Sequence, residues 1–340
     1  MKAYIEHIVS LDPQAAAQTL ELTGETIPYV TVAEPEYNRF ISPGEIRRMS
    51  RFTKLGLYTS LRCLQEAGAS AVDAVTVGTG LGSFGCFEKF DQSIHAAQES
   101  GLSPTPFIHS LPNALAGQIA LTLKCSGYNM THVHRGFAFE SALLDALMLL
   151  QEETDLRHIL VGAVDELTGT YVRLLQQTGY AKTTSTDVAP ASEGVVPGEG
   201  ATFLLVSPQP SERSVACIEG VRLLFEPRNT DEIRQAVEEL LTDNGLSLDQ
   251  VDTVLTGRSG DARFDARLAS LESDYLAGKP IVHYKTRCGE YQTATAFALW
   301  SALRSDDTTP ARSQTSQRIL IINQYQDANY SFLLVSRDLN

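Results

Sequence analysis

Nowhere in these 340 residues is there an apolar run of the length a membrane-spanning helix needs, about eighteen residues, so no membrane span is expected. The opening MKAYIEHIVS carries a charge at Glu6 and shows no secretory leader pattern. Cysteine is scarce. The five present, Cys63, Cys86, Cys125, Cys217 and Cys288, are odd in number, far apart and without a C-x-x-C pair. That argues against a disulfide framework and a thiolate zinc site, and it fits a reducing cytoplasm. Basic charge also runs short: 27 Lys and Arg face 41 Asp and Glu, a formal charge of −14. The chain therefore lacks the basic footprint that displaces counterions from a nucleic acid, and no nucleic-acid partner is expected. What is present, 43% hydrophobic and 8% aromatic residues, suits one large or two medium soluble domains.

The stretch over 106–146, PFIHSLPNALAGQIALTLKCSGYNMTHVHRGFAFESALLDA, is the most informative. Its apolar spacing switches from three-and-four to alternation and back. That predicts a loop, a helix over 113–124, a turn at Ser126-Gly127, a strand over 130–134 and a second helix from near Gly136. A strand running straight into a helix can present a nucleophile, because the helix N-terminus offers unpaired N–H groups and a positive dipole end. Upstream, an alternating strand over 3–9 precedes one helix over 45–67, with Met49, Phe52, Leu55, Leu57, Leu61 and Leu64 on a face and Gly68 ending it. A buried strand over 74–77 runs into a glycine-rich turn. Residues 80–85 there match G-x-G-x-x-G, but no second strand ending in an acid follows about twenty positions on, so the glycines read as a tight turn and no cofactor is expected.

Downstream, a strand over 159–164 ends near Asp165 and Glu166, and Gly198-Glu199-Gly200-Ala201 opens a strand over 202–206. The remainder reads as a strand over 216–225, a helix over 230–243 and a strand over 251–256, then a helix over 266–277 and a strand over 281–284. An alanine-rich helix over 290–303 and two strands over 319–322 and 331–335 complete it.

Leu111-Pro112-Asn113, Ala116-Gly117, Gly127, Thr131, Ala142 and Asp145-Ala146 resemble the nucleophile segment of β-ketoacyl-acyl-carrier-protein synthases, which have the thiolase fold. Arg47-Arg48-Met49 and the Gly-Glu-Gly-Ala turn resemble the same family. The resemblance covers most of 45–337. It implies an α/β, thiolase-like fold with duplicated βαβ halves in a five-layer α/β/α/β/α arrangement, an N-terminal half over 1–206 and a shortened C-terminal half over 207–340. Such enzymes condense acyl units with a cysteine thiolate that holds the acyl chain and two histidines that stabilise an enolate-like oxyanion. Carried onto this chain, the cysteine's place is Gly136. The acidic positions Asp252 and Asp265 frame the first histidine motif and put its histidine at Gly257. Lys285-Thr286-Arg287-Cys288-Gly289 keeps the lysine and glycine of the second motif and puts Glu290 at its histidine. The segment 323–329 holds the frame of the family's glycine-rich C-terminal loop without its glycines. Neither glycine can do side-chain chemistry, and a carboxylate would repel an enolate.

Family members without the cysteine serve as chain-length-factor subunits in type II polyketide, aryl-polyene and related polyene systems. They pair with an active ketosynthase through the strand and helix beside the nucleophile position. The resemblance thus implies a non-catalytic subunit, a ketosynthase partner, contact with an acyl carrier protein, and no metal or cofactor. His132, His134, Phe137 and Phe139 become candidate tunnel or interface residues. Two alternatives stay open. One is an acyltransferase or condensing enzyme with a relocated nucleophile, Cys288, or a histidine such as His134; the other is a homodimeric thiolase-fold binding protein. His132 and His134 alternate on one strand and could share a metal, though no third ligand is visible. Cys288 reads otherwise as a small buried hydrophobe, and Lys285 with Glu290 as a structural ion pair. His109 and His283 have no nameable partner.

Overall fold

The computed structural model describes residues 2–14, 17–22, 25–96, 101–183, 193–304 and 317–337. The first part of the chain forms β1 Ala3–Ser10, the hairpin β2 Gln18–Leu22 and β3 Glu25–Tyr29, α1 Pro43–Ile46, α2 Arg51–Ala67 and β4 Ala74–Thr79. It continues through α3 Phe84–Ala96, α4 Pro104–Ser110, α5 Ala114–Leu123, β5 Asn129–Val133, α6 Ala138–Glu152, β6 Ile159–Asp165, α7 Gly169–Gln177 and β7 Gly200–Ser207. Then come β8 Ala216–Phe225, α8 Thr230–Asp243, β9 Thr253–Thr256, α9 Ala262–Asp274, β10 Ile281–His283, α10 Lys285–Cys288, α11 Ala294–Leu303, β11 Arg318–Tyr325 and β12 Asn329–Ser336.

Apart from the β2–β3 hairpin, the strands pair in the order β10-β9-β11-β12-β8-β1-β7-β6-β4-β5. Both groups of five follow one plan. The third, second and fourth strands of each run parallel, and the fifth and first continue antiparallel. Among the described residues the sheet joins the two groups where β1 pairs with β8 over three residue pairs, Ala3↔Ile218 to Ile5↔Ala216. This is the expected duplication. Between the groups lie α6 and α11, whose Phe139, Leu143, Phe297 and Leu299 join one buried cluster with Ile5, Leu204, Ile218 and Leu333. Outside, α2 and α5 cover one group through Phe52, Leu55, Leu115 and Ile119, and α8 and α9 cover the other through Val237, Leu240, Leu268 and Leu271. Helices thus lie on both faces of each group, which gives the five-layer α/β/α/β/α order. It also explains why β4, β6 and β7 read as continuous apolar runs rather than alternating ones.

Several expected elements differ in their bounds, among them the helix over 290–303, which begins at Ala294, and three differences have a local cause. The single helix over 45–67 is two, because the Ser50 side chain accepts from the Thr53 amide at 3.0 Å and starts a new helix at Arg51. The loop expected before Pro112 is the short helix α4. Pro104 stands in its first turn, where a missing N–H costs nothing, so prolines that read as loop instead open a helix. The helix expected over 266–277 begins at Ala262, where Asp261 accepts from the Arg263 amide at 2.9 Å.

Candidate functional site

The strand–helix junction read as a nucleophile mount is present: β5 leads through His134, Arg135 and Gly136 into α6. Gly136 is buried against the start of β12. A Cβ placed on it would fall 2.6 Å from Asn329 Cγ and 2.8 Å from its Oδ1, distances no side chain tolerates. The amides at this helix entrance are taken as well. Gly136 N and Phe137 N donate to His134 Nδ1 at 3.2 and 3.1 Å, and the His134 ring stacks on Phe137 at 5.2 Å. An imidazole nitrogen that accepts two amides carries no proton, so the His134 hydrogen sits on Nε2. The donors that could steady a developing oxyanion therefore already have an acceptor.

Gly257 follows β9 and lies under β11. A Cβ there would come 2.6 Å from Asn323 Oδ1 and 2.8 Å from the Tyr284 hydroxyl, which themselves hydrogen-bond at 2.6 Å. Glu290 lies just past α10, fully buried and paired with Lys285 Nζ at 2.9 and 3.0 Å, which confirms the expected ion pair. Lys285 also donates to the Gln324 carbonyl at 2.6 Å. Burial pushes the Glu290 carboxyl up to about 7, against the pull of the Lys285 ammonium. Its backbone is tied to the Gly-Glu-Gly-Ala turn, since Gly198 N donates to Glu290 O at 2.9 Å and Glu290 N to Val196 O at 2.8 Å.

All three positions therefore converge on the hairpin of β11 and β12. Asn329 faces Gly136, Asn323 faces Gly257, and the Gln324 carbonyl holds the lysine that neutralises Glu290. The turn of that hairpin places Gln326 and Asp327 at φ of +55° and +54°. Glycine is usual at such angles. Asp327 is held there by Arg267 at 3.3 Å and by the Tyr330 hydroxyl, and its amide donates to Gln324 Oε1 at 2.9 Å. Sequence reading missed Asn323, Asn329 and Tyr284 as occupants of the site. The available signal was that side chains stand where the family's loop has glycines.

The remaining candidates separate. His132 bonds Asp145 on α6 at 2.9 Å, and His134 turns to its own helix entrance, so the two imidazoles do not face one metal. Among the described residues no group of three or more possible metal ligands converges. Phe137 is buried beside His134, and Phe139 lies in the central core. Cys288 is fully buried, and burial pushes its thiol well up, the reverse of what a nucleophile needs. His283 finds Glu272 at 3.3 Å. The glycine-rich turn after β4 already holds two carboxylates. Gly80 N donates to Asp165 at 2.7 Å and Gly85 N to Glu166 at 2.9 Å, which leaves those amides engaged and supports the tight-turn reading. Burial pushes Asp165 up to about 6 although Thr79, Gly80 and Thr293 all donate to it. No helix among the described residues is long and apolar enough to cross a membrane.

The family profile for the β-ketoacyl synthase N-terminal domain matches residues 5–211. The chain belongs to the β-ketoacyl synthase family. Solved structures agree on its fold. It is similar to the ishigamide ketosynthase/chain length factor at a TM-score of 0.81 and 16% identity, over 99% of each chain. A β-ketoacyl synthase from Burkholderia phymatum STM815 matches at 0.78 and 14% identity, over 100% of both chains. The ketosynthase ApeO in complex with its chain length factor ApeC from Xenorhabdus doucetiae matches at 0.76 and 16%, over 99% of this chain and 98% of that one. No curated protein sequence matches it. At such identities the likeness establishes the thiolase-like architecture, and function has to be argued from the site.

Proposed function

We propose that this β-ketoacyl synthase homologue is non-catalytic and acts as a chain-length-factor-like subunit, pairing with an active ketosynthase in fatty acid, polyketide or polyene biosynthesis. The observation that carries the reading is the packing at Gly136, where Asn329 occupies the space a nucleophile's side chain would enter. Losing a cysteine alone would leave a pocket; here the pocket is filled by neighbouring side chains. Support for a partner comes from β5, one of the two outermost strands of the sheet, which among the described residues is paired with β4 alone. Met130 and Val133 on it are 41% and 53% exposed, with Ile108 of α4 and Leu121 of α5 also exposed. An unprotected edge with apolar neighbours invites a second chain. Two of the similar structures are described as ketosynthase with chain length factor. In this reading His132, His134 and Phe137 lie beside the shared face, and an acyl carrier protein docks on the pair.

The same edge would serve a second copy of this chain, which is the homodimeric alternative. A relocated nucleophile at Cys288 gains no support from a thiol so deeply buried. One experiment separates the three. The chain is co-expressed with a ketosynthase from its own genome, the products are resolved by size-exclusion chromatography, and condensation is assayed for each subunit and the pair. Activity confined to a one-to-one complex, and kept in Cys288→Ala and His134→Ala variants, is expected. Condensation by the chain alone would overturn the reading, and a stable homodimer indifferent to the synthase would replace it with the binding-protein alternative.

A further inference from the structure

On the C-terminal side of the sheet a cavity of about 920 Å³ opens between the end of β1, the segment after α7, the loop after β9 and α10. Its size is that of small-molecule sites. Although the whole chain carries −14, six groups that are or can be cationic line this cavity: Lys182, Arg258, His283, Lys285, Arg287 and Arg304. Four of them are engaged. Lys285 pairs with Glu290, Arg304 with Asp12 at 2.7 Å, and Arg258 and His283 both with Glu272 at 3.3 Å. Lys182 and Arg287 have no ion pair among the described residues. Arg287 is nonetheless positioned, since its Nη1 donates to Ser301 Oγ at 3.3 Å and its guanidinium rides over the Phe297 ring at 5.6 Å. Most of its five donors stay open. Lys182 extends beside Gly260, its ammonium 3.6 Å from where a Cβ on that glycine would sit, an ordinary contact distance.

The two carboxylates that line the cavity are already satisfied. Asp12 faces Arg304, and Asp265 accepts from Ser259 N, Gly260 N and Gln324 Nε2 at 2.8–3.0 Å. The lining also includes the apolar side chains of Pro13, Ala17, Val30 and Val196. We infer that this cavity binds a small molecule with a phosphate or carboxylate head held by Lys182 and Arg287 and a less polar body laid on the apolar part of the lining. A doubly charged head would neutralise both groups, and the guanidinium fork fits two oxygens at once. The inference stands apart from the subunit reading, because Lys285, which lines this cavity, is committed to Glu290 and the head is assigned to Lys182 and Arg287, which bond none of the three degenerate positions.

Titration calorimetry on the full chain tests it with three probes: inorganic phosphate, hexyl phosphate and hexanoate. Saturable one-to-one binding of a hexyl probe, tighter than inorganic phosphate, is expected, and the stronger of the two hexyl arms tells a phosphate head from a carboxylate. Lys182→Ala and Arg287→Ala should each weaken it by about tenfold, the loss of one charge-assisted contact, and the double variant should abolish it. Arg213→Ala, in the separate groove beside Glu6, should bind as the parent does. Circular dichroism checks that each variant is folded. No saturable heat from any probe, or unchanged affinity in the folded double variant, overturns the proposal.

Discussion

Placing a cysteine at position 136 would not give it a nucleophile's setting, because an absent side chain and a filled space are separate obstacles. Asn329 Cγ lies 2.6 Å from where the new Cβ must go, so Gly136→Cys has to push the start of β12 away from α6. Overpacking of this kind costs about 1–3 kcal/mol. Urea denaturation of Gly136→Cys should show that loss, and the added Asn329→Gly substitution should recover part of it by removing the obstructing atoms. Intact-mass analysis with an acyl-thioester donor should find no acyl adduct on the single variant, since His134 still holds the amides of residues 136 and 137. An adduct forming at the rate of an ordinary synthase would mean the position was merely vacant. Glu290 makes the same point in charge rather than volume. A carboxylate is kept there by a buried lysine, and the lysine is kept by the Gln324 carbonyl, so reversing one residue would leave the other unmatched.

Two buried glutamates act between elements. Glu199, in the Gly-Glu-Gly-Ala turn, is fully buried and accepts both ends of the Arg51 guanidinium at 2.7 Å, the Val32 amide at 3.0 Å and the Leu167 amide at 2.8 Å. It fastens the start of α2 to β7. Removing one partner of a buried pair costs about 3–5 kcal/mol, and Arg51 is 30% exposed and keeps Glu34, so Glu199→Ala should lose about 3 kcal/mol in chemical denaturation. Glu6 joins β1 to the connection between β7 and β8 by accepting from Ser207 and Ser214 at 2.7 Å and from Ser211. Burial alone would raise its carboxyl, but the three hydroxyls outweigh that and hold it below the ordinary 4.5. A lowered carboxyl binds fewer protons in the folded chain than in the unfolded one. Its contribution is therefore present above about pH 4.5 and drains away as pH falls through the lower, folded value. Denaturation midpoints measured from pH 6 to pH 3 should fall less steeply for Glu6→Gln than for the parent. Element types were legible because period and punctuation agree in runs such as 216–225 and 230–243. The breaks were not: Ser50 divides one apolar face into two helices through a single side-chain hydrogen bond, and Pro104 starts a helix where proline usually marks a loop. The sequence also names the three positions that the resemblance marks, Gly136, Gly257 and Glu290. Their filling was not legible, because Asn329 and Asn323 reach those glycines only through the β11–β12 pairing, a contact across more than sixty residues that no local pattern encodes.

At the scale of the molecule, the duplicated architecture leaves the two outermost strands unequal. β10 has three residues, whereas β5 has five and exposes Met130 and Val133. A longer edge with apolar side chains is the one that needs covering, since open N–H and C=O groups there pair readily with another strand. The net charge of −14 opposes self-association of two identical chains and favours a partner less acidic than this one. Val133→Asp tests whether that edge is the pairing face. Val133 is 53% exposed in the single chain, so the change should alter the stability of the free chain by no more than about 0.5 kcal/mol. In a paired edge the same carboxylate would be buried without a partner, at a cost of several kcal/mol to the complex. Size-exclusion chromatography with light scattering on the co-expressed pair should therefore show the parent as a heterodimer and Val133→Asp as separate subunits with an unchanged melting temperature for this chain. A heterodimer that survives the substitution would move the partner's contact to another surface while leaving the fold and the degenerate site as described.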